Sequence, residues 1–364
     1  MDARRIGVEE ELLLVDPLTG QASSVSDRAV RADPDDGADG LDQELFLEQI
    51  ETSSSPNSDL VALRADLEAE RRRAATAAAR AGAEILAVPL PLLAKASATV
   101  TPKRRYERMI HAYGDIGRGA VVCGMHVHVE VGSDDEAVRI VDGLRPWLPL
   151  VMALSANSPF HLGQDTGHES WRGVVWDRWP TAGPVEPFTS VAAYRATVRQ
   201  LIASGAALDE GMIYLDARLA RSYPTVEVRV ADVCTDLDDT VLVAAVVRAL
   251  AETAARGEGP AHQWRTEMLR AARWRARHDG TSDQLLDPAY GALVRAEDAL
   301  ATMLDHLAPA LADSGDAALV ENGIERMLTH GTGAARQRAQ VGADGDLRTV
   351  LDDLRRRTAA SYRG

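Results

Sequence analysis

The chain has 364 residues, 46% hydrophobic and 26% charged, with a formal net charge of −15. That composition supplies ample material for a core. The acidic balance argues against general binding to nucleic acid or to an anionic membrane, which favour clustered Lys and Arg, but not against an anionic ligand held by local cations or metal ions.

The N-terminal "MDARRIGVEEELLLV" has two arginines, but its apolar run is short and three glutamates interrupt it, unlike a signal peptide. No segment approaches the ~20 apolar residues of a spanning helix. Cys123 and Cys234 each sit in an apolar, strand-like run, as buried free thiols of a reducing compartment do. Together these features predict a cytoplasmic protein.

"IGVEEELLLVD" predicts a strand, followed by the turn "DPLTG". Residues 22 to 40 are polar and Gly/Asp-rich and read as an exposed loop. "QELFLEQIET" predicts a second strand. The run from Asp59 to Gly82 is the clearest helix: Asp59 is a plausible N-cap, Leu60, Leu63 and Leu67 share a face, and Gly82 ends it. "EILAVPL" predicts a strand, and residues 102 to 120 a helix closing in the Gly-rich "GDIGRGA". No strand–turn–helix unit surrounds those glycines, so they do not read as a dinucleotide loop.

"CGMHVHVEV" alternates as a strand. "AVRIVDGLRPWLPLVMALSAN" is helical or broken at Pro146, "SVAAYRATVRQLIASG" is a helix, and "TVEVRVADV" is a strand. "DDTVLVAAVVRALAETAARG" is a strongly apolar helix, and the chain from about 262 onward is helical almost throughout. Strands and helices mixed early, with a helical C-terminal third, define an α+β fold.

Four of these strands pair an aliphatic face with a charged one. His126, His128 and Glu130 alternate with Met125, Val127, Val129 and Val131; Glu9 and Glu11 share a face while Glu10 points the other way; Glu51 shares a face with Gln49; Glu227 and Arg229 share one opposite Val226, Val228 and Val230. An antiparallel sheet with one solvated face gives the same alternation without any function. Solvated faces, however, usually carry Lys, Ser and Thr, whereas these carry Glu, His and Arg. Glutamates on neighbouring strands would repel unless a cation lay between them. A divalent metal site on the open face is the economical explanation, with carboxylates suiting Mg²⁺ and an imidazole tolerating Mn²⁺. His-x-His also invites a zinc reading, but the chain offers no HExxH, CxxC or His-x-His-x-Asp to complete such a site.

The blocks "GVEEELLLVDPLTG", "QIET", "CGMHVHVEV", "LSANSPFHLGQDTG", "VVWDRWPTAGP" and "TVEVRVADVCTDLDD" resemble those of the type 2 glutamate–cysteine ligases, also called carboxylate–amine ligases. "RWRARHDG", "LLDP" and "GTGAARQRA" extend the resemblance over nearly the whole chain, implying a single catalytic domain over residues 1–364. It further implies a glutamine-synthetase-like fold, in which a curved antiparallel sheet holds ATP and divalent metal on its concave face and helices pack on the other. In such ligases ATP phosphorylates a carboxylate, often the γ-carboxylate of glutamate, and an amine attacks the acyl phosphate. Small-molecule partners follow, and a homodimer is implied in the same way. The alternative is a member that keeps the fold, has lost ligation and acts as a nucleotide-binding or regulatory protein.

Residue by residue, the resemblance places Glu9, Glu11, Glu51, His126 and Glu227 on metal, with Glu9, Glu11 and Arg229 at the nucleotide. Glu227, His126 and Arg229 form the catalytic set. Arg229 is assigned to phosphate or the acyl phosphate, since a planar fork suits an oxyanion. His128 orients His126, contacts substrate or is a satisfied structural histidine. The long irregular block from Asn157 to Pro184 reads as functional: Arg172 and Arg178 are candidates for substrate carboxylates, Trp171, Trp176 and Trp179 for pocket walls or else core anchors, and Asn157 and Asp165 for fixing the loop. Three departures bear on substrate. Glu130 stands where glycine is expected, the segment "LAVPLPLLAKASATV" lacks a Gly-Thr-His-Pro-like turn, and His168 and Glu169 replace an aromatic and a small residue. A carboxylate at 169 would favour a cationic amine.

Overall fold

Period-two alternation along Ile6–Val15 makes it the strand around which the sheet is built. A computed structural model describes residues 3–33, 40–93, 98–119, 121–258, 262–342 and 345–363. In it, β1 (Ile6–Val15) runs antiparallel to β3 (Gln49–Ser53) on one edge, with Glu11 opposite Glu51. On its other edge β5 (Gly124–Glu130) takes the first half, with Glu9 opposite His126, and β4 (Glu84–Leu86) takes the second. Beyond β5 lies β7 (Thr225–Asp232), with His128 opposite Glu227, and then β6 (Ala217–Leu219), with Arg218 opposite Glu227. The short β2 (Asp42–Gln43) flanks β3. The seven strands follow the order β2-β3-β1-β5-β7-β6, with β4 beside β1.

The aliphatic face is buried under helices. Val8, Met125, Val127, Val129, Val226 and Val228 join one apolar core with residues of the helices Leu60–Arg80, Asp134–Leu144 and Leu237–Ala255. The first of these begins as its sequence predicts. Asp59 caps it by accepting from the Val61 amide at 2.8 Å, and Gly82 follows it at φ +78°. Glu10 is the one β1 glutamate on this face, and Arg71 meets it there: both side chains are fully buried, with Nη2–Oε1 2.6 Å and Nε–Oε2 2.8 Å.

Four differences from the sequence reading matter. A helix, Ser26–Ala32, occupies part of the expected loop 22–40, while residues 34–39 lie outside the described residues; at seven residues its apolar pattern is too short to read. "QELFLEQIET" is not one strand: Leu47 donates to the Thr99 carbonyl and Thr101 to that of Leu45, so the chain turns before β3 starts at Gln49. The helical C-terminal third contains a hairpin, Gln284–Leu286 with Leu293–Arg295. Finally, Met125 pairs with Ala231 but Val127 with Val228, so Arg229 and Val230 together face the single His126. This bulge shifts the phase of β7 and returns Asp232, opposite Gly124, to the side of the charged row. Residues 94–97, within the segment expected to lack a Gly-Thr-His-Pro-like turn, lie outside the described residues.

Candidate active site

Antiparallel register places the charged residues of four strands side by side. Glu9 and Glu11 from β1, Glu51 from β3, His126 and His128 from β5, and Glu227 and Arg229 from β7 all line one cleft of about 270 Å³. The expected metal set is thus brought together in full. Glu44, from the turn after β2, completes a row of five glutamates. Over the row lie Arg105, Tyr106 and Met109 of the helix Arg104–Tyr113, then Trp176, Trp179 and Tyr214, with the loop Ala220–Tyr223 at the edge.

Distances tie the row into a network. His126 Nδ1 lies 3.1 Å from Glu9 Oε2, and His128 Nε2 lies 3.2 Å from Glu9 Oε1. Thr225 Oγ1 holds His128 Nδ1 at 2.9 Å, which anchors the ring and leaves Nε2 turned toward Glu9. Arg229 donates to Glu227, which also accepts from Arg218 Nε at 2.7 Å and Nη2 at 3.1 Å. Glu11 accepts the Gly124 amide at 2.6 Å.

The row divides electrostatically. Burial raises the carboxyl groups of Glu11 and Glu44; for Glu51, burial and then the charges of Glu44, Glu9 and Glu11 push it well above the usual range. Burial opposes ionisation of Glu9 and Glu227 too. Hydrogen bonds from His126 and His128 nevertheless hold Glu9 below the usual carboxylate range, and Arg229 and Arg218 do the same for Glu227. Burial and the Arg229 charge lower His126, favouring neutral imidazole.

This donor set fits a hard divalent cation. Three groups of ligand atoms lie within 4.8 Å of one another: Glu9, Glu51 and His126; Glu9, His128 and Glu227; Glu11, Glu44 and Glu51. The buried Nε2 of His126 has no hydrogen-bond partner, and with Nδ1 on Glu9 its lone pair is free to ligate. Carboxylate oxygens dominate each group, which suits Mg²⁺ or Mn²⁺.

Three of the expected substrate contacts do not reach the cleft. Arg178 is exposed and Trp171 packs edge-on against His168 at 5.1 Å, neither lining the cavity. Arg172 is buried beside Gly124, behind the cleft wall. Glu169 is no amine determinant either: it is buried against Arg338 and accepts from Thr332 Oγ1 at 3.1 Å, while the His168 ring packs edge-on against Trp171 and His278. Glu130 pairs outside the cleft with Arg5, at 3.1 Å from Nε. Asp165 holds Arg338 at 2.9 Å, and Asn157 holds the Val233 carbonyl at 2.8 Å, so both brace the block as expected. Cys123 and Cys234 are buried and unpaired by disulfide.

The sequence reading did not find Glu44, Arg105, Tyr106, Tyr214 or Arg218. These come from a turn, a helix start, a loop and a three-residue edge strand, none of which carries periodicity. Arg218 alone had a usable signal, since "RLARSYPTVEVR" is a hairpin whose turn sets it across from Glu227.

An antiparallel sheet with one face under helices and the other lined by carboxylates, imidazoles and a guanidinium is a glutamine-synthetase-like α+β architecture. The chain belongs to glutamate–cysteine ligase family 2, whose model matches residues 5–353. It is 45% identical over 371 residues to "Putative glutamate--cysteine ligase 2-1" of a Nocardioides species, covering 99% of this chain and 97% of that one. It is 43% identical over 367 residues to "Putative glutamate--cysteine ligase 2" of Streptomyces coelicolor, covering 98% and 100%. Among solved structures, the Francisella tularensis glutamate–cysteine ligase in complex with AMP superposes with a TM-score of 0.76 at 14% identity, over 100% of this chain and 90% of that one. The chain is an ATP-dependent carboxylate–amine ligase of the glutamate–cysteine ligase type. None of its described helices is long and apolar enough to cross a membrane.

Proposed function

We propose that this ligase phosphorylates a substrate carboxylate from ATP and passes the acyl group to an amine, releasing ADP and phosphate. One observation carries the reading: three overlapping ligand groups lie along one face, with Arg229 beside the group that contains Glu227. A divalent metal bound there would neutralise phosphate charge as the phosphoryl group transfers. Glu9, Glu51 and His126, with Glu9, His128 and Glu227, are the residues to hold it. The guanidinium of Arg229 meets oxyanion charge from the side, and Arg218 keeps Glu227 ionised and aimed. Trp176, Trp179 and Tyr214 narrow the cleft and exclude water, which would otherwise hydrolyse an acyl phosphate.

Glutamate and cysteine are the first pair to test, on the strength of the relatives' names. The experiment is ADP release from ATP and Mg²⁺, with glutamate and other carboxylates crossed against cysteine and other amines, alongside Glu227→Gln. Turnover that needs both co-substrates and is lost in the variant supports the ligase. Nucleotide binding with no transfer across the panel points to a chain that has retired from catalysis, and no nucleotide binding sinks the reading.

A further inference from the structure

Arg172 is a buried arginine with no carboxylate in direct contact; the charges of Asp232 and Glu11 reach it only across a gap. Its side chain makes no ion pair among the described residues, its Nε has no hydrogen-bond partner, and its fork reaches only two carbonyls, Arg229 O at 3.4 Å and Val230 O at 3.5 Å. Burying a guanidinium on such terms is costly, and an apolar residue of similar volume would stabilise the core better. Its place in the fold explains the cost. The two carbonyls belong to the residues of the β7 bulge opposite His126, and one of those residues is Arg229. Both guanidinium groups lie over the same indole, Arg172 at 5.7 Å and Arg229 at 5.9 Å from the Trp176 ring centroid.

The rest of the irregular block holds Arg172 there. Asp232, returned by the bulge to the side of the charged row, accepts from Ser158 Oγ at 2.7 Å, Ser170 Oγ at 2.9 Å and the Asn157 amide at 3.0 Å. Ser158 Oγ in turn accepts the Arg172 amide at 3.0 Å, fixing the start of the helix Trp171–Trp176. Gly124 supplies the space: a Cβ there would stand 2.1 Å from Arg172 Nη2.

We propose that Arg172 is a positioning residue for Arg229, clamping the bulge carbonyls so that the Arg229 guanidinium is held in the cleft. The proposal rests on Arg229 serving as the phosphate-facing group of the proposed ligase. On this account the Ser158, Ser170 and Asp232 network is a brace for one catalytic guanidinium rather than a wall of the substrate pocket.

Arg172→Lys keeps the charge and loses the fork. The expected result is a fall in kcat of about 100-fold, the scale of a 1 Å misplacement, with KM for ATP and for the amine changed by less than about threefold. Combined with Arg229→Lys, the losses should not add, because the second change removes what the first one aims. Gly124→Ala keeps the arginine and displaces its fork, giving the same signature by an independent route and carrying the test if Arg172→Lys does not fold. In the Arg172→Lys background, Gly124→Ala should then cost little more. A lowered urea midpoint with kcat per folded molecule unchanged, or losses that multiply across these pairs, overturns the proposal. If the wild type binds nucleotide but transfers nothing, the ligase reading fails separately. The positioning claim is then read from the preference for ATP over ADP, which Arg172→Lys and Arg229→Lys should reduce alike and which an unaffected Arg172→Lys would refute.

Discussion

Three successive glutamates of β1 face two environments. Glu10, on the helix side, is fully buried and matched by Arg71, with Thr240 Oγ1 donating at 3.0 Å. Glu9 and Glu11, on the cleft side, share their space with Glu44 and Glu51, and no arginine or lysine ion pair is made by Glu11 or Glu51 among the described residues. On the helix side Glu10 is matched one to one by Arg71, whereas the cleft keeps a surplus of carboxylate for a proton or a cation to neutralise. The contrast separates charge that builds the molecule from charge held for chemistry.

Neutralising one glutamate on each face tests that separation directly. Glu51→Gln should lower turnover by about 10²- to 10³-fold while raising the melting temperature of the metal-free protein, since it relieves the crowding that pushes the Glu51 carboxyl up. Glu10→Gln should do the opposite. It leaves Arg71 buried without its counter-ion and should cost about 3–5 kcal/mol of stability, read by urea unfolding, with little change in kcat of the molecules that remain folded. If both variants lose stability alike, the two faces do not differ in the way described.

Metal sharpens the comparison next. Mg²⁺ at about 100 times its Kd should stabilise the protein by about 2.7 kcal/mol, measured as a melting shift that EDTA reverses and Glu51→Gln abolishes. The shift should also depend on pH. The raised carboxyl of Glu51 stabilises the metal-free fold fully below its unfolded value of 4.5, and that contribution is lost as pH rises through the higher folded value. His126, whose folded value is lowered from 6.5, acts in the other direction as pH falls, so the window to use lies above that. As pH rises above 6.5 toward the raised value of Glu51, the metal-free protein should lose stability and the Mg²⁺-bound protein should not, with the slope flattened in Glu51→Gln. The smallest effect is expected at Arg178→Ala, an exposed position outside the cleft: stability within about 0.5 kcal/mol of wild type and unchanged steady-state kinetics.

How much of this was legible in the sequence follows from where each residue sits. Alternation alone aligned Glu9, Glu11, Glu51, His126, His128, Glu227 and Arg229, because period two on a long strand dictates a face whatever the tertiary context. Glu10 was legible as the odd one out, though its partner Arg71 was not, since it lies on the helix face whose leucines announced only packing. Glu44 and Arg105 stand on a turn and a helix start, where the path of the chain decides direction. The same reason sent Arg172, Arg178 and Trp171 astray. They lie in an irregular block where no repeat fixes which way a side chain points, and the bulge in β7 altered the face on which Asp232 emerges without any mark in "VEVRVADV".

The order of strands across the sheet also bears on how the molecule comes into being. β1 is made first, yet its cleft face is complete only when β7 docks on β5, some two hundred residues later. At roughly 5–20 residues per second, β1 waits on the order of tens of seconds in the growing chain before Glu227 and Arg229 arrive, and β5 about half as long. From the synthesis of β5 until β7 arrives, β5 presents an unpaired edge and Glu9 lacks the second carboxylate of its His128 group. A chain released before β7 therefore carries the row without its closing strand, and is more prone to pair with a neighbour than to bind metal.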